Sequence, residues 1–477
     1  MERKSSKTIQ GSIVDSKKNI IFLVPDGVGV RNYLFSNIIS EFKDKAHLHL
    51  WTTLTEKTAK EIETLHSVET SFYQFQLPKE TFKVKLFREA ATYARLLVNR
   101  RKLDNPAIMD YWSRNPKSIP LRIFYKLVKW MGFWVSAKYD WILVLEKKSR
   151  AAWPRKMMDR YIGLLKECKP NVIFVTHQRV ASLNPICSAA RELGIKVITC
   201  IYSWDNTAKA SLAIEADEYL VWSSYMKTEL LQLYPEIPEE VVITTGTPQF
   251  EFYLQEDRYM SKESMAALYG LDLQKKWICF SGDDEKTSPY DPQYLDDLAT
   301  AIQSLPENLC PQIIFRRCPV DVSTRYDSVL EKWGERIVPI DPIWNTSTFN
   351  WGRVYPSTND IDLLVNLARH CELVINLGST MAHDFAIMGK PAFYIAYDPF
   401  VDKNWSTKTI YQFQHFKSMD GKDAVGWFYS RMEMADKLAK ALKDPKSVAP
   451  DREQWLKLIV KHPLSNASKE IAKRLLA

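Results

Sequence analysis

Short apolar runs of strand length recur along the chain, separated by helical patterns. "NVIFVTH" (Asn171–His177), "KVITCIY" (Lys196–Tyr202), "EYLVWS" (Glu218–Ser223) and "EVVITTG" (Glu240–Gly246) form one series. "WICFSG" (Trp277–Gly282), "QIIFRR" (Gln312–Arg317), "RIVPI" (Arg336–Ile340), "ELVINLG" (Glu372–Gly378) and "PAFYIAY" (Pro391–Tyr397) form a second. "NIIFLVP" (Asn19–Pro25), "HLHLW" and "SFYQFQ" belong with the first. Patterns such as "NPICSAARELG", "SYMKTELLQLY", "YLDDLATAIQSL" and "DIDLLVNLARHC" predict helices between them. Continuous apolar strands alternating with helices require a parallel sheet covered on both faces. The fold class is therefore α/β. At 477 residues the chain exceeds one ordinary core, so two doubly wound domains are expected. The polar stretch "FYLQEDRYMSKES" places the boundary near residues 250–270. The expected division is 1–255, 256–450 and a terminal helical segment 451–477, broken at His462-Pro463.

In such sheets ligands bind at the carboxyl ends of the strands. The residues that follow the strands are thus the candidates. Gly378-Ser379-Thr380 closes one strand and opens the helix "TMAHDFAIMG". A helix start offers backbone N–H groups and a favourable dipole to an anion such as a diphosphate. An ordinary N-cap without ligand gives the same pattern. Arg316-Arg317 ends another strand and could neutralise phosphate. Ser281-Gly282 ends a third, where a small residue admits a ligand.

In the first half, Asp26-Gly27-Val28-Gly29-Val30-Arg31-Asn32 follows the first strand. The third glycine of a dinucleotide fingerprint is missing, which argues against a nicotinamide cofactor. Gly27, Gly29 and Arg31, with Asn206, are candidate acceptor contacts. Asp26, His177 in "VTHQR" and Asp205 in "YSWDN" are candidate general bases. Asp360-Ile361-Asp362 opens a helix, where acidic residues suit the dipole, so a metal role is set aside.

Residues 83–160 carry 19 Lys/Arg against 6 Asp/Glu, although the whole chain is only +8. This region, within a helical insert at about 79–166, contains "YKLVKWMGFWVSAKYDW" (Tyr125–Trp141). A cationic, Trp-rich segment suits an anionic bilayer surface. The alternative is a solvated helical face whose rings belong to the core. No nucleic-acid reader motif is recognisable. Seven scattered cysteines without a C-x-x-C pair fit a reducing, cytoplasmic setting. The polar N-terminus has no apolar core of a signal peptide, and no apolar run reaches the length of a membrane span.

The run "DIDLLVNLARHCELVINLGSTMAHDFAIMGKPAFYIAYD" (Asp360–Asp398) resembles glycosyltransferases of the GT-B fold. It is most similar to bacterial surface-polysaccharide and CDP-glycerol glycerophosphotransferase-like members. "FRRCPVD" is similar to that family's Arg-x-His-Pro element, with Cys318 where His is usual. "YSWDN" and "PDGVGVRN" resemble loops of related N-terminal domains. The resemblance implies two Rossmann-like domains facing across a cleft, with the C-terminal helix crossing back. It implies a nucleotide-sugar donor on the second domain, held at Ser281, Gly282, Arg316, Arg317, Gly378, Ser379 and Thr380. It implies a glycan or lipid-linked acceptor on the first, with the enzyme cytoplasmic or peripheral on the inner face of the plasma membrane. No Glu-x7-Glu pair follows Gly378, so an inverting, metal-independent transfer without further cofactor is expected. A polyol-phosphate transferase, a sugar-nucleotide 2-epimerase and a non-catalytic nucleotide-sugar binding subunit are the alternatives.

Overall fold

The computed structural model describes residues 17–210, 212–345 and 354–477. The N-terminal stretch read as lacking a signal peptide lies outside them through residue 16. The first sheet comprises β1 (Lys18–Val24), β2 (Ala46–Thr52), β3 (Thr70–Gln74), β4 (Val172–Val175), β5 (Lys196–Cys200), β6 (Glu218–Val221) and β7 (Val242–Thr244). The second half adds β8 (Trp277–Ser281), β9 (Gln312–Arg316) and β10 (Ile337–Ile340). It continues with β11 (Trp344–Asn345), β12 (Tyr355–Pro356), β13 (Val374–Asn376), β14 (Ala392–Ile395) and β15 (Gly426–Phe428).

The first sheet runs β3-β2-β1-β4-β5-β6-β7 and the second β10-β9-β8-β13-β14-β15. Every pair in both sheets is parallel. The central strands are buried along almost their whole length, with Ile20 to Val24 and Ile278 to Phe280 fully enclosed, whereas the edge strand β3 has no buried residue. That burial explains why they read as continuous apolar runs rather than as alternating ones. The chain is thus two Rossmann-like domains, as expected. Their strand orders reverse direction between β1 and β4 and between β8 and β13. Those reversals open the crevices in which doubly wound sheets bind ligands.

Several expected strands end earlier than the apolar run. β4 stops at Val175 and β13 at Asn376, so His177 and Gly378 lie on loops. β11 and β12 form a separate antiparallel pair, and β15 is three residues long; none was expected. Elements this short carry no periodicity to read.

Two devices join the peripheral helices to this frame. The terminal helix Ala467–Leu476 returns to the first domain. Arg474 forms a two-pronged pair with Glu218 at the start of β6, at 2.8 and 2.6 Å. The Ser468 backbone N–H donates to Glu251 at 2.7 Å, while Ile471, Ala472 and Leu475 are buried. The basic region forms four helices: Phe82–Leu103, Ile119–Val135, Tyr139–Ala151 and Arg155–Cys168. The fully buried Arg95 ties it in by donating to Glu146 and Glu236, each at 2.8 Å. Burial works against the Arg95 charge, but the two carboxylates more than compensate and hold it protonated.

Removing one partner of such a group strands the others. Arg95→Leu should therefore cost about 3–5 kcal/mol in denaturant unfolding, well above a surface Arg substitution. A loss no larger than that of Arg155→Leu would mean that Arg95 does not anchor the insert.

Candidate functional site

The loops at the two strand-order reversals meet across a cavity of about 280 Å³. Gly27, Arg31 and Asn32 enter it from the loop after β1. Ser281, Gly282 and Asp283 enter from the end of β8, Arg316 and Arg317 from β9, and Ser379 and Thr380 from the loop after β13. Most of the residues expected to hold a donor thus share one site, contributed by both domains. Gly27 is required there by packing: a Cβ would lie 1.9 Å from the Val354 carbonyl oxygen.

The side chains are less free than their positions suggest. Arg316 is 4% exposed and donates to Asp360 at 2.6 Å. Asp360 also accepts from the Ile343 backbone N–H and from Trp344 Nε1. Asp362 pairs instead with Arg258 at 2.6 Å, so the two acids of the Asp-x-Asp run meet different cations. Arg317 donates to the Ser323 carbonyl at 2.6 Å and lies over the Tyr326 ring. Arg31 Nε is buried without a partner among the described residues. Ser379 donates its N–H to Asn376 Oδ1 at 2.8 Å, and its Oγ accepts from the Met381 N–H at 3.4 Å. Part of the N-cap expectation is therefore met inside the protein, at a helix of only seven residues, Met381–Ile387. Gly378 lies just behind, at φ +77°, where a Cβ would meet the Phe416 ring at 2.6 Å.

Asp384, which the sequence reading missed, also lines the cavity. Burial raises its pKa to about 6, and the Arg31 guanidinium and Tyr253 hydroxyl offset only part of that rise. It stands four residues after Thr380, hence on the same side of the helix, and that spacing was the available signal. Asp283, at the end of the Ser281-Gly282 strand, lines the cavity as well. Burial and the neighbouring Asp291 push its pKa well up, while Asp291 accepts its backbone N–H at 2.6 Å. Cys318 lines the same cavity, and burial pushes its thiol up to about 12, which makes it a poor nucleophile.

The three candidate bases separate. His177 Nδ1 and Asp26 Oδ2 are hydrogen-bonded to each other. Asp26 Oδ1 also accepts from the Gly29 N–H at 3.4 Å. With Nδ1–H donating to Asp26, Nε2 is the basic nitrogen, the arrangement by which a carboxylate orients an imidazole. Asp205 is otherwise engaged. Burial raises its pKa, yet Lys209, His415 and the Ser203 hydroxyl outweigh burial and hold it well below the carboxylate range. It accepts from Ser203 at 2.6 Å, from Asn206 at 2.8 Å and from Lys209. A carboxylate so stabilised as an anion is a poor proton acceptor, so the geometry assigns Asp205 to loop architecture. Asn206, also expected at the acceptor, is buried between Asp205 and Arg179 and lines neither of these two cavities. Gly29 also faces inward, where a Cβ would lie 2.4 Å from Thr176 Oγ1.

His177 opens onto a second cavity, of about 420 Å³, between the insert and the first sheet. Arg88, Arg114, Arg150 and Arg179 line it with Glu146 and Ser149. Tyr202 borders both cavities, and its ring packs edge-on against His177 with centroids 4.2 Å apart. Between the domains, Trp204 donates to Thr380 Oγ1 at 3.2 Å. Its ring is enclosed by His383, His415, Phe416 and Trp455.

No family model and no curated protein matches the sequence. Solved structures do resemble it over nearly the whole chain. The UDP-GlcNAc 2-epimerase of Methanocaldococcus jannaschii is 11% identical and superposes with a TM-score of 0.52, covering 96% of this chain and 98% of its own. MnaA of S. aureus, solved with UDP, is also 11% identical, with a TM-score of 0.52 and 96% of each chain covered. A glycosyltransferase of Rickettsia africae is 10% identical, with a TM-score of 0.50 over 97% of this chain and 99% of its own. At such identities the likeness is one of fold. The protein has the GT-B fold.

The raised pKa of Asp384 makes a measurable mark on stability. An unfolded Asp titrates near 3.9, so between about pH 4 and pH 6 the folded state keeps a proton that the unfolded state has released. Stability is lost as pH rises through that window and then levels off. Asp384→Asn should flatten this dependence and stabilise the protein by about 1–2 kcal/mol at pH 7.5 relative to pH 4.5. Thermal melts of both proteins across the range provide the check.

Proposed function

We propose that the protein is an enzyme acting on a nucleotide sugar bound between its two domains. The observation that carries this reading is the cleft at the facing strand-order reversals. It combines small residues at Gly27 and Gly282, hydroxyls at Ser281, Ser379 and Thr380, and three arginines. The guanidinium of Arg31, with its unpartnered Nε, is the freest of the three to meet a diphosphate. Asp384, largely anionic at neutral pH, can accept hydrogen bonds from sugar hydroxyls.

The second cavity favours transfer to an acceptor. A glycan or lipid-linked hydroxyl placed there would lie beside His177. The hydroxyl oxygen would attack the anomeric carbon while the bond from that carbon to the donor phosphate breaks. The proton would pass to His177 Nε2, and Asp26 would stabilise the resulting imidazolium. The departing diphosphate would carry its charge towards Arg31 and the hydroxyl loops. This single displacement would invert the anomeric centre and use protein cations at the leaving group, and such a transfer would serve cell-surface polysaccharide synthesis.

Sugar-nucleotide 2-epimerisation is the second reading. It is favoured by fold neighbours such as those of Methanocaldococcus jannaschii and Listeria monocytogenes, which bear that name. Product analysis separates the two. Incubation with UDP-GlcNAc and other nucleotide sugars, with and without acceptor glycans, is followed by chromatography. Transfer predicts that nucleoside diphosphate accumulates only with acceptor and that turnover persists in EDTA. A new nucleotide sugar formed without acceptor would establish epimerisation. Nucleotide binding without either product would point to a binding subunit.

The dyad gives a sharper expectation. His177→Ala should lower kcat by about 10²–10⁴-fold while leaving the donor Kd unchanged in calorimetry. An equal loss in donor affinity would move His177 from proton transfer to donor binding.

A further inference from the structure

The helix Ile119–Val135 is amphipathic in an inverted sense. Its inner face is narrow: Val128 is fully buried, and Gly132 lies so close to the neighbouring helix that a Cβ would be 2.8 Å from the Ala90 carbonyl oxygen. Its outer face is apolar. Ile119, Ile123, Leu127, Trp130 and Trp134 follow one another at intervals of four, four, three and four residues, which is one stripe of an α-helix. Ile119 is 71% exposed, Ile123 63%, Trp130 64% and Trp134 58%. The segment is thus split: Tyr125 and Tyr139 pack against the core, whereas Trp130, Phe133 and Trp134 face outward. Trp141 and Val144 on the next helix are each 50% exposed and extend the apolar surface.

Basic residues border the stripe. Arg122, Lys126 and Lys129 are exposed and fall along one flank of it, about 60–120° round the helix from its centre. Lys117 and Lys138 are exposed near its two ends. A contiguous exposed apolar patch of this kind marks an interaction surface. Two tryptophans beside a row of cations match the boundary between lipid headgroups and acyl chains. Among the described residues no helix is long and apolar enough to cross a membrane, so this one would lie in the interface plane.

We propose that this helix docks the protein on a phospholipid bilayer carrying anionic headgroups. Charge complementarity selects that occupant: the surrounding residues 83–160 are +13 while the remainder of the chain is about −5. The docking stands apart from the nucleotide-sugar reading, because no cleft residue takes part in it. It has a bearing on that reading nonetheless. The helices Phe82–Leu103 and Tyr139–Ala151, on which the docking helix rests, also supply Arg88, Glu146 and Arg150 to the cavity beside His177.

Flotation with vesicles tests the proposal on the full chain. Wild type should float with vesicles of phosphatidylcholine and phosphatidylglycerol at low salt, and release as NaCl rises to 0.5 M, where the Debye length shrinks to about 4 Å. Trp130→Ser with Trp134→Ser, and separately Lys126→Glu with Lys129→Glu, should each weaken binding by at least about tenfold. All four side chains are exposed, so unchanged thermal melts confirm folding in each variant. No flotation of wild type at low salt would overturn the proposal, as would equal binding to pure phosphatidylcholine. A concentration-dependent dimer in sedimentation equilibrium, abolished by the tryptophan pair, would assign the face to a second copy of the chain instead.

Discussion

Trp204 leaves the first domain on the loop after β5 and seats its indole in the second, where it meets imidazole, phenyl and indole rings contributed by three separate segments. An indole buries more apolar surface than any other side chain, and edge-on ring packing adds to that. Its one polar atom is satisfied by Thr380, a residue of the cleft itself. The contact that holds the domains together therefore also fixes one wall of the cavity between them. Gly27 works in the same direction from the opposite wall, where backbone meets backbone. A cleft built this way has its width set by packing rather than by a flexible linker, and preorganised walls cost a ligand less on binding.

The remaining parts attach to this frame through paired charges at low exposure. Arg95 joins the insert to the first domain and Arg474 joins the terminal helix to the start of β6. Each meets a carboxylate that would be costly to leave alone in a partly buried site. The insert is consequently not an appendage. It forms a wall of the cavity at His177 while its outer helix turns a large apolar surface away from the protein.

Much of the fold could be read from the sequence because both sheets are parallel and covered. A strand buried on both faces has no polar positions to interrupt it, so "NIIFLV" and "WICFS" announce themselves. β15 and the β11–β12 pair were illegible for the opposite reason, being too short to show any pattern. The site divides similarly. Position at a strand end was enough to find Gly27, Arg31, Ser281, Arg316, Ser379 and Thr380, which do line one cavity. It was not enough to tell which of them are already spoken for. Arg316 is claimed by Asp360 from a helix 44 residues away, and Asp205 by Lys209 within its own loop. The raised pKa of Asp384 comes from burial, which Arg31 and Tyr253, approaching from the other domain, only partly offset. No local pattern encodes such a neighbourhood.

The rings around Trp204 give the seam between the domains a titratable chemistry. His383 and His415 are enclosed there, and burial lowers their pKa to about 3 and about 4 respectively. Both are neutral while the seam is intact, whereas an exposed imidazole takes a proton near pH 6.5. Each imidazole thus favours the separated state as pH falls below about 6.5, and its own contribution to the seam is lost towards pH 4. Within the first sheet, burial also lowers the pKa of His49 on β2. Asp384, next to His383, acts with the opposite sign, gaining stability as pH falls through about 6, so the response of the seam to acid is a balance between two enclosed imidazoles and one enclosed carboxyl.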